Sequence, residues 1–114
     1  FSFCKNLKKI EIFQEGLKLY AGVFEYSGLE SVKINGNGNL ILSMRTFAYC
    51  ENLKHVEISA VNITSIGLGA FKHCENLTSI QYSGTIEQWN SIPKSSSWDY
   101  KTGSYTITYN YTGE

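Results

Sequence analysis

The stretch F-A-Y-C-E-N-L-K-H-V-E-I, Phe47–Ile58, returns almost unchanged as F-K-H-C-E-N-L-T-S-I-Q-Y, Phe71–Tyr82. Two further copies precede them. Phe24–Ile34 reads F-E-Y-S-G-L-E-S-V-K-I, one residue shorter and with Ser27 in the cysteine position, and Phe1–Ile12 reads F-S-F-C-K-N-L-K-K-I-E-I. The anchor aromatics Phe1, Phe24, Phe47 and Phe71 are spaced by 23, 23 and 24 residues. Behind each come a small slot (Cys4, Ser27, Cys50, Cys74) and a leucine (Leu7, Leu29, Leu53, Leu77). Two alternating apolar positions follow: Ile10/Ile12, Val32/Ile34, Val56/Ile58 and Ile80/Tyr82. Leu19, Leu42 and Ile66 stand five residues ahead of the later phenylalanines. The chain is therefore a repeat array, and its period dictates the fold.

A period in the low twenties built on Leu-x-x-Ile-x-Ile is a leucine-rich-repeat signature. Within one copy Val56 and Ile58 alternate with polar residues, which predicts a short strand. Phe71 and Cys74, three apart, predict one face of a helical turn. Thr64-Ser65-Ile66 can form a second extended piece, and Asn35-Gly36-Asn37-Gly38 can turn the chain. No Gly-Lys-Ser/Thr follows those glycines, so a phosphate cradle is not expected there. One coil cannot bury its apolar edge alone. Stacked at about 4.8 Å, each inward side chain is covered by its copies above and below.

Ten basic and ten acidic residues leave no net charge over 114 residues. That argues for one domain and against nucleic acid or anionic membranes as partners. No run of 18 apolar residues exists to insert into a bilayer. The chain opens in mid-repeat without a polar cap, which suggests the C-terminal part of a longer protein. The three cysteines are an odd number in one core-facing slot, where a thiol acts as a small apolar residue. A Cys50–Cys74 bridge or a zinc site with His73 is the sharper alternative for them. No cofactor and no metal is expected. Three sequons begin at Asn62, Asn76 and Asn110; Asn76 and Leu77 are expected to lie too near the core to make a good acceptor.

After Ser83-Gly84 the repeats stop. Thr85–Ile92 predicts a short helix with Thr85 and Gln88 as a capping box and Pro93 as its stop. Ser104–Tyr111 alternates through Tyr105, Ile107, Tyr109 and Tyr111 as a strand. Trp89, Ile92 and Trp98 are expected to form a lid over the last coil; a ligand pocket beneath Trp89 or Trp98 is the alternative.

Ile66–Tyr82 resembles the I-G-x-x-A-F-x-x-C-x-x-L-x-x-I-x-I repeat of BspA-like leucine-rich-repeat proteins. Gly84-Thr85, Gln88-Trp89, Ile92 and Trp98 resemble the segment that often ends such arrays. The second copy departs by its missing residue and cysteine, and Val61 stands where better-known leucine-rich repeats carry Asn, so a strongly curved horseshoe is not expected. The resemblance implies an α/β fold: a right-handed solenoid of about four 22–24-residue repeats, with short parallel strands plus helical turns. Residues 1–84 would be the repeats and 85–114 a helix–strand cap. It also implies a bacterial, extracellular cell-surface location and adhesion to a protein or glycan on host or neighbouring cells, by a monomeric domain. The alternative is a structural spacer or end-cap of a longer array.

The outward strand columns are the candidate partner-binding residues. One is Lys9, Ser31, His55 and Ser79; its neighbour is Glu11, Lys33, Glu57 and Gln81. The second column also reads as a charge ladder supporting the sheet. Ser31, His55 and Glu57 have the residue types of a hydrolytic trio, but a flat sheet supplies neither cleft nor oxyanion donors, so catalysis is not expected. A secondary candidate is the aromatic stripe Phe3, Tyr26, Tyr49 and His73, two residues after each anchor. It serves either inter-coil stacking or the binding of sugars and proteins.

Overall fold

The computed structural model describes residues 3–13, 18–19, 21–35, 40–59 and 63–111. The apolar residues that alternate in each copy form parallel strands, and the strands of successive copies lie side by side. One sheet has the order β1 (Lys9–Phe13), β3 (Ser31–Asn35), β5 (His55–Ile58), β7 (Ser79–Tyr82) and β8 (Thr106–Thr108). On the return limbs β2 (Lys18–Leu19), β4 (Leu40–Leu42) and β6 (Ile63–Ile66) make a second parallel sheet. The molecule is a parallel β-solenoid of about four turns of roughly 24 residues.

Each slot lies over its copies. Val32 pairs with Val56 and Val56 with Ile80, while Ile34, Ile58 and Tyr82 form the next column. Leu29, Leu53 and Leu77 are sealed inside, as are Phe47 and Phe71. The rings of Phe24, Phe47 and Phe71 are stacked at 5.4 and 5.3 Å, close to the strand spacing of about 4.8 Å that sets the rise of the coil. Leu7, Ile10 and Ile12 of the first coil are only partly buried.

Among the described residues the repeats contain none of the expected helical turns, and the α/β class gives way to a β-solenoid with almost no helix. Among the described residues the only α-helix is α1 (Ile86–Ser91). The Phe47–Cys50 and Phe71–Cys74 segments are instead series of tight turns. Ala48 N donates to Arg45 O and Cys50 N to Phe47 O, at 3.1 and 3.3 Å. The alternate N–H groups point along the stack: Phe47 N donates to Ala70 O and Tyr49 N to Lys72 O of the next coil. A helix, about 10 Å across, fits a stack that rises about 4.8 Å per coil only if the stack curves strongly. Tight turns do fit, at the cost of left-handed backbone at two sites per coil. One set is Gly22, Arg45, Gly69 and Ser97; the other is Phe3, Tyr26, Tyr49, His73 and Lys101, all with φ between 55° and 67°.

The C-terminal segment continues the path as a further, irregular pass. Lys94 bridges to Ile66, Ser95 N donates to Ile66 O, Phe71 N to Trp98 O and His73 N to Tyr100 O. β8 then pairs with β7, shorter than the strand expected over 104–111. Helix α1 is inserted in the return limb between β7 and Lys94. Its Thr85–Gln88 capping box is formed in both directions. Lys94 Nζ donates to Trp89 O at 2.6 Å and Ile92 O at 3.3 Å, which caps the helix C-terminus. Burial holds that ammonium below the usual lysine range. Trp89 and Ile92 are buried, and Trp98 meets Phe71 edge-on at 6.2 Å.

Phe1, the Gly36–Gly38 part of the turn, Val61, Asn62 and Thr112 lie outside the described residues, as does the side chain of Leu19.

Candidate binding face

Every second residue of the five-stranded sheet points outward, and the parallel register turns those residues into columns. Lys9, Ser31, His55 and Ser79 are consecutive partners, and so are Glu11, Lys33, Glu57 and Gln81. β8 extends the columns by Thr106 and Thr108. These two threonines escape a reading based on copies, although the alternation of Tyr105, Ile107 and Tyr109 marks their strand.

The polar contacts run across strands. Lys33 Nζ lies 3.4 Å from Glu57 Oε2, with the Glu57 side chain mostly covered. Glu11 does not complete an alternating charge ladder; it accepts a 2.7 Å hydrogen bond from Asn35 Nδ2. His55 Nδ1 lies 3.4 Å from Ser79 Oγ. Ser31 is on the opposite side of His55, so Ser31, His55 and Glu57 form no relay here. Between the columns lies a shallow depression of about 340 Å³. Its lining includes Lys9, Glu11, Ser31, Lys33, His55, Glu57 and Gln81. Ser79 is not part of that lining; it is engaged with His55.

The stripe occupies the outer corner. Phe3, Tyr26, Tyr49 and His73 form a column of near-parallel rings at 4.9, 4.6 and 4.7 Å. Tyr100 closes it edge-on to His73 at 5.7 Å. The rings cover much of one another's faces, as the inter-coil stacking reading expects. Four of these residues occupy the left-handed sites, which cost of order 1–2 kcal/mol each. Stacking worth about 0.5–1.5 kcal/mol per pair offsets much of that. Lys5 lies over Tyr26 and Lys72 over Tyr49, each at 5.7 Å.

The cysteine slot is more than a small apolar position. Cys50 Sγ donates to Phe24 O at 3.2 Å and Cys74 Sγ to Phe47 O at 3.1 Å, each reaching the anchor of the preceding coil. Ser27 Oγ lies 3.2 Å from Cys50 Sγ. The hydroxyl in this slot thus lies within hydrogen-bond reach of the thiol in the same slot of the next coil. A hydrogen bond with the Cys50 side chain and then burial push the Cys74 thiol well up. Cys4, Cys50 and Cys74 are free thiols. Among the described residues no three His, Cys, Asp or Glu side chains gather as a metal site, and no helix is long and apolar enough to cross a membrane. Asn76 is exposed, not near the core, but its amide is tied to Glu51 O at 2.7 Å.

A family model described as the BspA type leucine rich repeat region matches residues 1–96 in six copies. No curated protein and no solved structure matches the chain.

Proposed function

The chain belongs to the BspA-type leucine-rich repeat family, and from that premise we propose that it is a non-catalytic binding module displayed outside the cell. Repeat domains of this kind bind proteins through the surfaces their stacked elements present. The observation that carries the reading is the depression on the five-stranded sheet. Columns from four coils line it with two lysines, two carboxylates, a hydroxyl, an amide and an imidazole on one continuous surface. Such a surface suits the polar face of a folded protein on a host or neighbouring cell better than a small molecule, which needs a deeper and more apolar site. Lys33 and His55 are the donors placed to reach a partner, and Glu57 holds Lys33 in position.

The test is capture of immobilised epithelial extracellular matrix by the purified chain. Alanine at Lys33, His55 and Glu57 together should weaken capture about tenfold or more if hot spots lie here. Unchanged capture removes the sheet face from the reading. The spacer or end-cap alternative draws support from the mutual pairing of Lys33 with Glu57 and of Glu11 with Asn35. It gains if this chain captures nothing while a longer array does.

A further inference from the structure

We propose that a second docking site lies at the outer corner, between the third, fourth and closing passes, and that it takes an acidic peptide segment through one large apolar side chain. Met44, Leu68 and Tyr100 are among the few large apolar side chains that the described residues expose, at 44, 48 and 46%. They come from three different passes and line one depression of about 340 Å³, together with Arg45, Gly69, Lys72 and Ser97. Gly69 leaves the floor without a side chain. A Cβ there would lie 3.4 Å from Lys72 Cβ and 3.5 Å from Arg45 Cγ, so the aliphatic stems of the two cations form the walls. Their charged heads stand beyond the stems, as long basic side chains do over apolar surface.

Charge selects the occupant. On the sheet face lysine and carboxylate neutralise each other, whereas this corner keeps its positive charge. Among the described residues Lys72 and Lys101 have no ion pair; Lys72 lies over Tyr49 and Tyr100, and Lys101 over Tyr100 at 5.6 Å. Arg45 alone has a carboxylate beside it, Glu25, 3.7 Å from its Nε. An open pocket at the low end of the roughly 300–1,000 Å³ range holds an anchoring side chain rather than an enclosed ligand. Flanking carboxylates of the same peptide then meet Arg45, Lys72 and Lys101.

The probe is the labelled pentapeptide Asp-Glu-Leu-Glu-Asp, titrated into the isotopically labelled chain and followed by NMR. The expected result is saturable shifts at the Met44 and Leu68 methyls and the Tyr100 ring. Leu68→Ser and Lys72→Glu should each weaken binding about tenfold, and added salt should weaken it further. Lys33→Glu, on the sheet face, should leave it unchanged. Both corner changes are on exposed or half-exposed side chains, and circular dichroism verifies that the variants fold. The proposal is overturned by shifts confined to the sheet face or by failure to saturate at millimolar peptide. Equal binding of Asp-Glu-Ser-Glu-Asp or Lys-Arg-Leu-Lys-Arg also overturns it. So does binding of phosphatidylserine vesicles at the corner in place of the peptide. Because the sheet face is silent in every supporting outcome, failure here is separable from failure of the reading above.

Discussion

The regular coils anchored by Phe24, Phe47 and Phe71 and the closing pass around Trp98 follow the same backbone path with different side chains. In the coils, like sits on like: phenylalanine on phenylalanine, leucine on leucine, and each thiol reaching the carbonyl below. In the closing pass Trp98 donates no parallel ring to the column. It meets Phe71, Trp89 and Tyr105 edge-on at 6.2, 6.0 and 6.1 Å. What both regions keep is the inter-coil hydrogen bond at the corner and the pair of left-handed residues that permits it. Tyr49 N to Lys72 O is repeated by His73 N to Tyr100 O, and the positive φ of His73 by that of Lys101. The solenoid is thus continued by backbone pairing. Identical side chains stack in the coils, whereas edge-on aromatics take the place of the stacked column in the closing pass.

The comparison predicts unequal core losses. Phe47 is sealed between two rings, and Phe47→Ala should cost about 3–5 kcal/mol. Trp98 is half-buried with nothing like a full column above it, so Trp98→Ala should cost less, about 2–3 kcal/mol. Urea denaturation measures both. Equal losses would mean that the closing pass is as integral as the coils, and the distinction drawn above would fail.

A smaller pair of effects tests what the two regions share. The second copy lacks one residue, and Gly28 takes the shortcut, donating its N–H to Cys4 O at 3.1 Å. The closing pass uses the same device: Gly103 N donates to Cys74 O at 3.0 Å. A Cβ at Gly28 would lie 2.0 Å from Lys5 O, and one at Gly103 2.5 Å from Leu77 O. Alanine at either site must push two backbones apart, at a cost of about 1–3 kcal/mol. Gly28→Ala should be the worse of the two in thermal melts. If Gly103→Ala is neutral, the closing pass does not pair tightly with the coil beneath it.

These two glycines also show where the sequence is legible. Strand register, the buried columns and the outward columns could all be read because period-two alternation recurs at near-constant spacing. The corner could not. A Phe-x-x-Cys spacing of three suits a helical turn and successive tight turns equally, and only the rise of the stack decides between them. The closing pass was hidden by its altered spacing: His55 to Ser79 is 24 residues, whereas Ser79 to Thr106 is 27. Helix α1 and the Gly103 shortcut together shift the register, so Thr106 and Thr108 had no copies to betray them. On the candidate face the residues were legible and their pairing was not. Lys33 faces carboxylates on both sides and turns to Glu57, leaving Glu11 to Asn35, a choice of rotamer that residue spacing does not encode.

Helix α1 is itself part of the contrast, since it replaces a plain return limb with a capped insertion. Thr85→Ala removes the hydroxyl that accepts from Gln88 N and should cost about 1 kcal/mol. Circular dichroism and melting should show the loss as a local weakening at the C-terminal end, with the Phe24–Phe71 stack intact. A single global transition, shifted by an amount matching that loss, would instead place the helix within one cooperative unit with the coils.

The smallest effect separates two tyrosines, one from each region. Burial raises the Tyr82 phenol inside the last regular coil. In the closing pass burial raises Tyr105 further, aided by its 2.7 Å hydrogen bond to Asp99 Oδ2 and by the Asp99 charge. In both cases the folded pKa exceeds the unfolded value near 10, so the fold favours the neutral phenol. Their contribution is complete below about pH 10 and is lost as pH rises through the folded values. Lys94 acts in the opposite sense, because its depressed pKa lets the folded chain release a proton first as the solution becomes alkaline. Denaturation midpoints measured from about pH 9 to 12 should therefore fall with pH. Tyr105→Phe should flatten that fall more than Tyr82→Phe does, despite the greater exposure of Tyr105, because only Tyr105 faces a carboxylate. A larger flattening from Tyr82→Phe would assign the alkaline sensitivity to burial in the stack and leave the Asp99 contact without weight in solution.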